Sequence, residues 1–559
     1  MSIRSAWKPL LALSLLALGT SAYAAEPNSD KSPAAKKETI RKKPKTKAAA
    51  KPRVLVTISK ETTYITEPLR ADGYPDYIAA LNQRLSKGVT PENNAAALFW
   101  KALGPHEINK DCRERFFQML GIPPLPEKGD YFVTSGAQVT RHAKQDNPES
   151  ATPAEDMTKA LFDQMQTAMK RPWSKREFPV WAEWLETNEK PIALVVEGCQ
   201  RPRRYEPLIS GPGNKGMLIA CLLPGAQESR ECARALLMRA MFRLKEGKVD
   251  EAWSDLLNCH RLARLTDQGS TLVDGLVAIT IEAMAQAGDR ALLQHAKLTA
   301  EQIAKMRDDL DKLPHLFKMV DRLDVAERFT FLDCTSMIAR EGPTGMNKLM
   351  GGGTAKETGI MESLMNSLAK SSIDWDIILR MGNSWYDRLV AAGSKPTRAE
   401  RLKAIGKLDN DLREMAKSAK DPTSIALSLL GNPRTAISER IGQIQIALLL
   451  PASSAVQEAE DRTTMQSEMN KLAFALAAYH VDQGSYPARL ADLVPKYVKV
   501  VPKDIFNNDA DLHYTQEGDG YLLYSVGSNG KDDGGRSYDD RKNGEDWDDL
   551  TVRMSSPAK

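Results

Sequence analysis

Several features are scarce in this sequence, and each scarcity closes a class. Aromatic residues make up only 6% of the 559 positions. That shortage, beside frequent Ala, Leu, Met, Glu and Lys, favours helix over sheet. The six cysteines, at 112, 199, 221, 232, 259 and 334, contain no CxxC pair, which argues against zinc-ribbon and thioredoxin-like chemistry. Seven histidines occur, and no two lie within four residues of each other, so a helical zinc pair does not form. His106-Glu107 begins a metalloprotease-like string, but no second histidine follows at the required spacing. GxSxG, HExxH, Walker A and Rossmann fingerprints do not occur in a fitting context. These absences lean against an enzyme. Net charge is +4, and much of it sits in one tail, so composition gives no case for a nucleic-acid partner.

What is present begins with an export signal. Arg4 and Lys8 precede the apolar run Leu10–Leu18, and Ala22-Tyr23-Ala24 supplies a small-x-small cleavage pattern. The run is too short to span a bilayer, so residues 1–24 read as a cleaved signal peptide, with no transmembrane segment after cleavage. A periplasmic or extracellular location follows, and with it the possibility of disulfides. The other reading of the cysteines is as small buried hydrophobes on helices. Residues 25–53 carry ten Lys or Arg against three acids, without apolar periodicity, and are expected to be a disordered basic linker.

Residues 54–435 read as a mainly helical domain. Val54–Ile65 is rich in Val, Ile and Thr and predicts one or two strands. Residues 122–155, rich in Pro and polar side chains, read as loop. Trp181 and Trp184, three apart, read as a core pair. Cys232–Lys245 and Val249–Leu265 flank Glu246-Gly247-Lys248 and predict a helical hairpin near 232–265. The hairpin resembles a tetratricopeptide unit, but no clear second copy is seen. His260 within it reads as a surface or packing residue. Further helices are expected at Leu272–Leu293, Ala300–Leu313, Asp321–Ile338, Met361–Ala369, Asp374–Ala392 and Arg398–Ala419, with Gly351-Gly352-Gly353 as a loop.

The last segment is the most informative. Ile441–Asp482 predicts a long helix kinked at Pro451, with Ile444, Leu448, Ala455, Ala459, Met469, Leu472, Leu476 and Tyr479 as its apolar stripe. Gly484-Ser485-Tyr486-Pro487 ends it, Ala488–Val494 predicts a short helix, and Leu512–Thr515 and Asp519–Val526 predict paired strands. The order of Tyr479-His480-Val481-Asp482-Gln483-Gly484-Ser485-Tyr486-Pro487, Leu493-Val494-Pro495, Pro502-Lys503-Asp504 and Ser525-Val526-Gly527 resembles the globular domain of the major pseudopilin of type II secretion systems. The resemblance covers 441–554, about a fifth of the chain. It departs from the family in that the helix is internal and has no membrane-spanning first half. The expected fold is therefore a mainly α multi-helical domain followed by a small α+β pseudopilin-like domain, a long helix plus a short antiparallel sheet.

Residues 525–549 then hold Asp532, Asp533, Asp539, Asp540, Asp546, Asp548 and Asp549 among glycines, with Asn529 beside them. Clustered carboxylates repel unless solvated or neutralised, and calcium takes six to eight such hard oxygens. The EF-hand spacing does not occur. The resemblance implies a structural calcium in this loop, with Asn529, Asp532, Asp533, Asp539, Asp540, Asp546 and Asp548 as candidate ligands. Lys531, Arg536, Arg541 and Lys542 offer another route to charge balance, and a solvated acidic loop is the plain alternative. The expected role is a structural or interaction protein of the cell envelope, with possible partners in the envelope or the secretion apparatus. The alternatives are an accessory docking on a pseudopilus, and an envelope-polymer hydrolase with an unidentified carboxylate pair.

Overall fold

The computed structural model of the protein describes residues 54–145, 155–211, 216–221, 223–342, 373–418, 432–450, 453–541 and 545–555. The export signal, the basic linker, the triple glycine and the expected helix Met361–Ala369 lie outside the described residues. The chain is mostly helical and carries a three-stranded antiparallel sheet near its C-terminal end.

Helices α1 (Tyr77–Ser86), α2 (Ala95–Leu103), α3 (Arg113–Leu120), α4 (Ser135–Gln145), α5 (Glu155–Lys170), α6 (Pro179–Thr187) and α7 (Glu189–Gly198) come first. The centre is α8 (Pro224–Lys245), α9 (Val249–Thr266), α10 (Leu272–His295) and α11 (Ala300–Asp311). Met319–Arg322 and a widened π turn at Leu323–Glu327 lead into α12 (Arg328–Glu341). Then come α13 (Trp375–Gly393), α14 (Arg398–Ser418), α15 (Pro433–Leu449) and α16 (Ser453–Gln483).

Local chemistry sets the ends of these helices. Thr271 Oγ1 accepts from the Asp274 amide at 3.1 Å, and Asp274 Oδ2 accepts from the Thr271 amide at 3.1 Å, which satisfies two orphan donors where α10 begins. Thr299 and Gln302 repeat the device on α11. Pro224 opens α8, where its missing N–H costs nothing. Gly247, at φ +77°, makes the turn between α8 and α9.

These turns bring α8, α9 and α10 together as a packed layer. Gly288 of α10 lies where a Cβ would come within 2.4 Å of Leu256 and 2.6 Å of Leu237, so its lack of a side chain sets the close helix spacing. Trp173, Trp181 and Trp184 fill the same core, and Trp181 meets Trp184 edge to face at 5.6 Å. A second core joins α1, α12, α13 and α15 through Leu81, Phe331, Leu332, Ile378 and Ile446. Each large apolar side chain buried in this way stabilises the fold by about 1.5–3 kcal/mol.

The C-terminal module forms the third core. α16 lays Met465, Met469, Leu472 and Leu476, at helical spacing, on Tyr521, Leu523 and Val552 of the sheet. The sheet order is β3 (His513–Glu517), β4 (Gly520–Ser525), β5 (Leu550–Met554), with His513 opposite Tyr524 and Tyr521 opposite Met554. Two shorter strands, β1 (Lys503–Asp504) and β2 (Ala510–Asp511), pair beside it. α16 is not free on its other face. It packs on α10, α11 and α14, and Phe474 reaches Trp253 of α9 edge to face at 5.7 Å.

The differences from expectation have physical causes. Val54–Ile65 forms no strand. Its polar groups bond locally instead: Thr63 Oγ1 donates to Ile65 O at 2.8 Å, and Tyr77 Oη donates to Thr63 O at 2.8 Å. Within 122–155 the helix α4 forms, burying Val139 and Ala143. The helix expected at Ile441–Asp482 is two helices, with the first ending at Leu449, two residues before Pro451. β5 is a strand that the sequence reading did not identify. All six cysteines are free; five are buried and Cys221 is half-buried, so they pack as small hydrophobes. Among the described residues, no helix is long and apolar enough to cross a membrane.

Candidate metal centre

The acidic loop leaves β4 at a fixed point. Asp504, fully buried, accepts from Ser525 Oγ at 2.7 Å and from the Val526 amide at 3.0 Å, which pins the start of the loop. Gly527 follows with φ +68°. A Cβ there would come within 2.3 Å of the Asp548 carbonyl and 2.6 Å of its Oδ1, so glycine is what lets Asp548 lie against the turn.

Asp548 and Asp549 enter from the other end of the loop, just before β5. Asp548 Oδ2 accepts from the amides of Ser528 and Asn529 at 3.0 and 3.1 Å and from Ser528 Oγ at 2.9 Å. Asp549 Oδ2 accepts from the amides of Gly535 and Asp533 at 2.8 and 3.2 Å. Asp533 Oδ2 accepts from Asn529 Nδ2 at 3.1 Å and from the Asp548 amide at 3.3 Å. The loop thus folds around its own carboxylates, one oxygen of each held by backbone N–H groups.

The second oxygens are the chemically informative ones. Asp548 Oδ1 and Asp549 Oδ1 are buried and have no hydrogen-bond partner. One oxygen each from Asp533, Asp548 and Asp549 lies within 4.8 Å of the others. Calcium–oxygen bonds of about 2.4 Å put two ligands on opposite sides of one ion about 4.8 Å apart, so the spacing fits a single hard cation. Burial, and then the charges of Asp533 and Asp532, push the Asp549 carboxyl up to about 6 against the pull of two backbone N–H groups.

The nearby cations are mostly engaged elsewhere. Arg536 Nε donates to Asp533 O at 2.6 Å while its guanidinium lies over the Trp547 ring at 4.3 Å. Arg541 Nε donates to Trp547 O at 2.6 Å, and its guanidinium lies over Tyr538 at 4.3 Å. Arg462 of α16 approaches Asp548 Oδ2 at 3.7 Å. Lys531 is exposed, and Lys542 lies outside the described residues.

The structure brings together Asp533 and Asp548 from the sequence candidates and adds Asp549. Asn529 brackets the site: its Nδ2 also donates to Asp546 O at 2.8 Å, and its Oδ1 accepts from the Lys531 amide at 2.7 Å. Asp532 is not among the converging three and instead accepts from the Gly534 amide and Tyr524 Oη at 2.9 and 3.0 Å. The Gly534 N–H foremost holds its carboxyl below the usual range. Asp540 caps a short turn through the Ser537 amide and hydroxyl, both at 2.8 Å. Asp546 is exposed beside Arg541, and Asp539 is exposed. The signal for Asp549 was the alternating run Leu550–Met554 directly after it, which places its side chain at the end of a strand.

Two cavities bear on the hydrolytic alternative. One of about 460 Å³ lies between α1 and α3, and among its lining residues the one carboxylate is Asp76, which accepts from the Ala79 amide at 2.9 Å and caps α1. The other, of about 40 Å³, holds Glu206 and Asp274 but has room for only a water or two. Neither presents a carboxylate pair to a sugar-sized substrate. No protein-family model, curated protein or solved structure matches this chain.

Proposed function

We propose that this is an exported structural or interaction protein of the cell envelope, with a pseudopilin-like C-terminal module that a calcium ion stabilises. The observation that carries the reading is the convergence of Asp533, Asp548 and Asp549 with two buried carboxylate oxygens lacking partners. Such oxygens are costly to bury unless something positive meets them. The element order supports the family part of the reading: long helix, short helical turn, hairpin, Gly- and Asp-rich loop, final strand. The packing of α16 on α10, α11 and α14 favours a scaffold over a freely projecting filament subunit.

The cation acts by closing the loop. The segment from Gly527 to Asp549 offers few apolar side chains, so binding energy stands in for a core. Asp533, Asp548 and Asp549 would hold the ion, and Asn529 and Ser528 would hold two of those carboxylates in place.

The test is a thermal melt of the full-length protein in excess calcium and in chelator. At a free concentration one hundred times Kd, an ion bound only by the folded state adds about 2.7 kcal/mol. The melting temperature is expected to rise with calcium in the wild type and to lose that response in Asp549→Asn. Identical wild-type melts with and without calcium would remove the calcium reading.

A further inference from the structure

A second buried charge cluster lies where α16 meets the helical body. His260 of α9 is wholly buried, and so is Asp289 of α10, with Glu282 of α10 2% exposed. Glu282 and Asp289 are seven residues apart, two turns along one face of α10. The imidazole bridges them: Nδ1 lies 2.9 Å from Glu282 Oε2 and Nε2 lies 2.9 Å from Asp289 Oδ2. A neutral imidazole has a single N–H, so a ring whose two nitrogens both face carboxylates carries two protons and a positive charge. Arg264 of α9 pairs with Glu282 as well. Burial alone would depress the imidazolium, but Glu282 and Asp289 outweigh it and push it up to about 9.

Helix α16 binds to this cluster through two neutral polar side chains one turn apart. Asn470 Nδ2 donates to Asp289 Oδ2 at 2.7 Å. Ser467 Oγ accepts from Gln286 Nε2 at 2.8 Å, and the same Nε2 donates to Glu282 Oε1 at 3.1 Å. The carboxylates that clamp the imidazolium are therefore the ones that α16 contacts, directly through Asn470 and through Gln286 from Ser467. A one-residue slip of α16 would turn Asn470 and Ser467 about 100° away and leave buried charge facing apolar side chains. Outer contacts agree with one register: Gln294 of α10 exchanges two hydrogen bonds with Ser555, at 2.8 and 3.0 Å, and Arg307 of α11 donates to Tyr497 O.

We infer that His260 is a cationic latch: by fixing Glu282 and Asp289 as charged acceptors, it holds α16, and with it the C-terminal module, on the helical body in one register. His260 is a positioning residue and acts through the two carboxylates. The inference does not depend on the kinship of the module or on its metal, because it rests on α9, α10 and α16 alone. The groups that meet the imidazole are Glu282 and Asp289 from α10; around those carboxylates stand Arg264 from its own helix, Arg290 and Gln286 from α10 and Asn470 from α16. Because its proton affinity is raised, the latch contributes its full stability below about pH 6.5, loses that contribution as pH rises, and opens as the imidazolium deprotonates near pH 9.

The test uses the full-length protein with paired spin labels at Glu301→Cys on α11 and Glu517→Cys on β3. One narrow distance distribution is expected in the otherwise wild-type background at pH 7, broadening above pH 9. His260→Gln should broaden it at pH 7 and remove the pH response. Asn470→Ala, which leaves the charged triad intact, should broaden it too. A narrow distribution retained in Asn470→Ala would overturn the latch. So would a wild-type ¹⁵N spectrum showing His260 neutral at pH 7, a measurement that stands even if His260→Gln fails to fold.

Discussion

Two clusters of carboxylates among the described residues stand in different electrostatic surroundings. Between α9, α10 and α16, Glu282 and Asp289 are met by His260 and Arg264 from the chain itself. In the loop before β5, Asp533, Asp548 and Asp549 converge with Arg462 3.7 Å from Asp548 Oδ2, while Arg536 and Arg541 lie over aromatic rings. The first cluster balances its charge internally and serves to fix helix register. For the second, the proposed ion from solution completes the balance, in which case its stability would respond to what the surroundings contain. Burial of acids alone therefore says little about function; what distinguishes the two is where the nearest positive charge comes from.

The comparison breaks most visibly if the internal cluster is unbalanced. Asp289→Ala leaves an imidazolium and Asn470 without their shared acceptor. Loss of one partner of a buried ion pair costs about 3–5 kcal/mol, to be read from urea unfolding of the full-length protein. A loss below 1 kcal/mol would mean that the cluster carries little charge.

A smaller effect is expected from Gly527→Ala. The residue sits at φ +68° with the Asp548 carbonyl where a Cβ would go. Left-handed backbone costs a non-glycine residue about 1–2 kcal/mol, and displacement of Asp548 should also remove the calcium response of the melt. Retention of that response in the variant would separate the turn from the site.

The smallest and sharpest test is pH. In chelator, the Asp549 carboxyl titrates at about 6 in the folded protein and near 3.9 when unfolded, so the folded state holds the proton more tightly. Its contribution to stability should therefore grow as pH falls from 7 to 4, and Asp549→Asn should lack that slope. Saturating calcium should reverse the sign, because protons then compete with the ion. His260 works in a separate window, losing its contribution between about 6.5 and 9. Denaturation of wild type and variant at pH 5, 7 and 9 separates the two.

Much of the fold could be read in the sequence where a helical period and a breaker coincide. α8 and α9 follow from their apolar spacing and Gly247, and α10, α11, α13 and α14 fall close to their expected spans. Short strands were harder to read. Val54–Ile65 has strand composition but no partner, and β5 has a partner but only five residues in which to show alternation. The acidic loop was visible as composition, and Asp533 and Asp548 were among its candidates. Which acids converge is decided by glycine turns and by the β4–β5 register, so Asp549 was missed and Asp539 and Asp546 were included. His260 read as a surface or packing residue because its partners lie more than twenty residues away on the next helix.

The placement of Phe474 against Trp253 has a consequence for how the core closes. Among its buried members, Phe474 is the one contributed from beyond Met306, so the last wall of the largest apolar core comes from α16. A chain cut short before α16 would therefore leave one edge of the Trp253 ring uncovered.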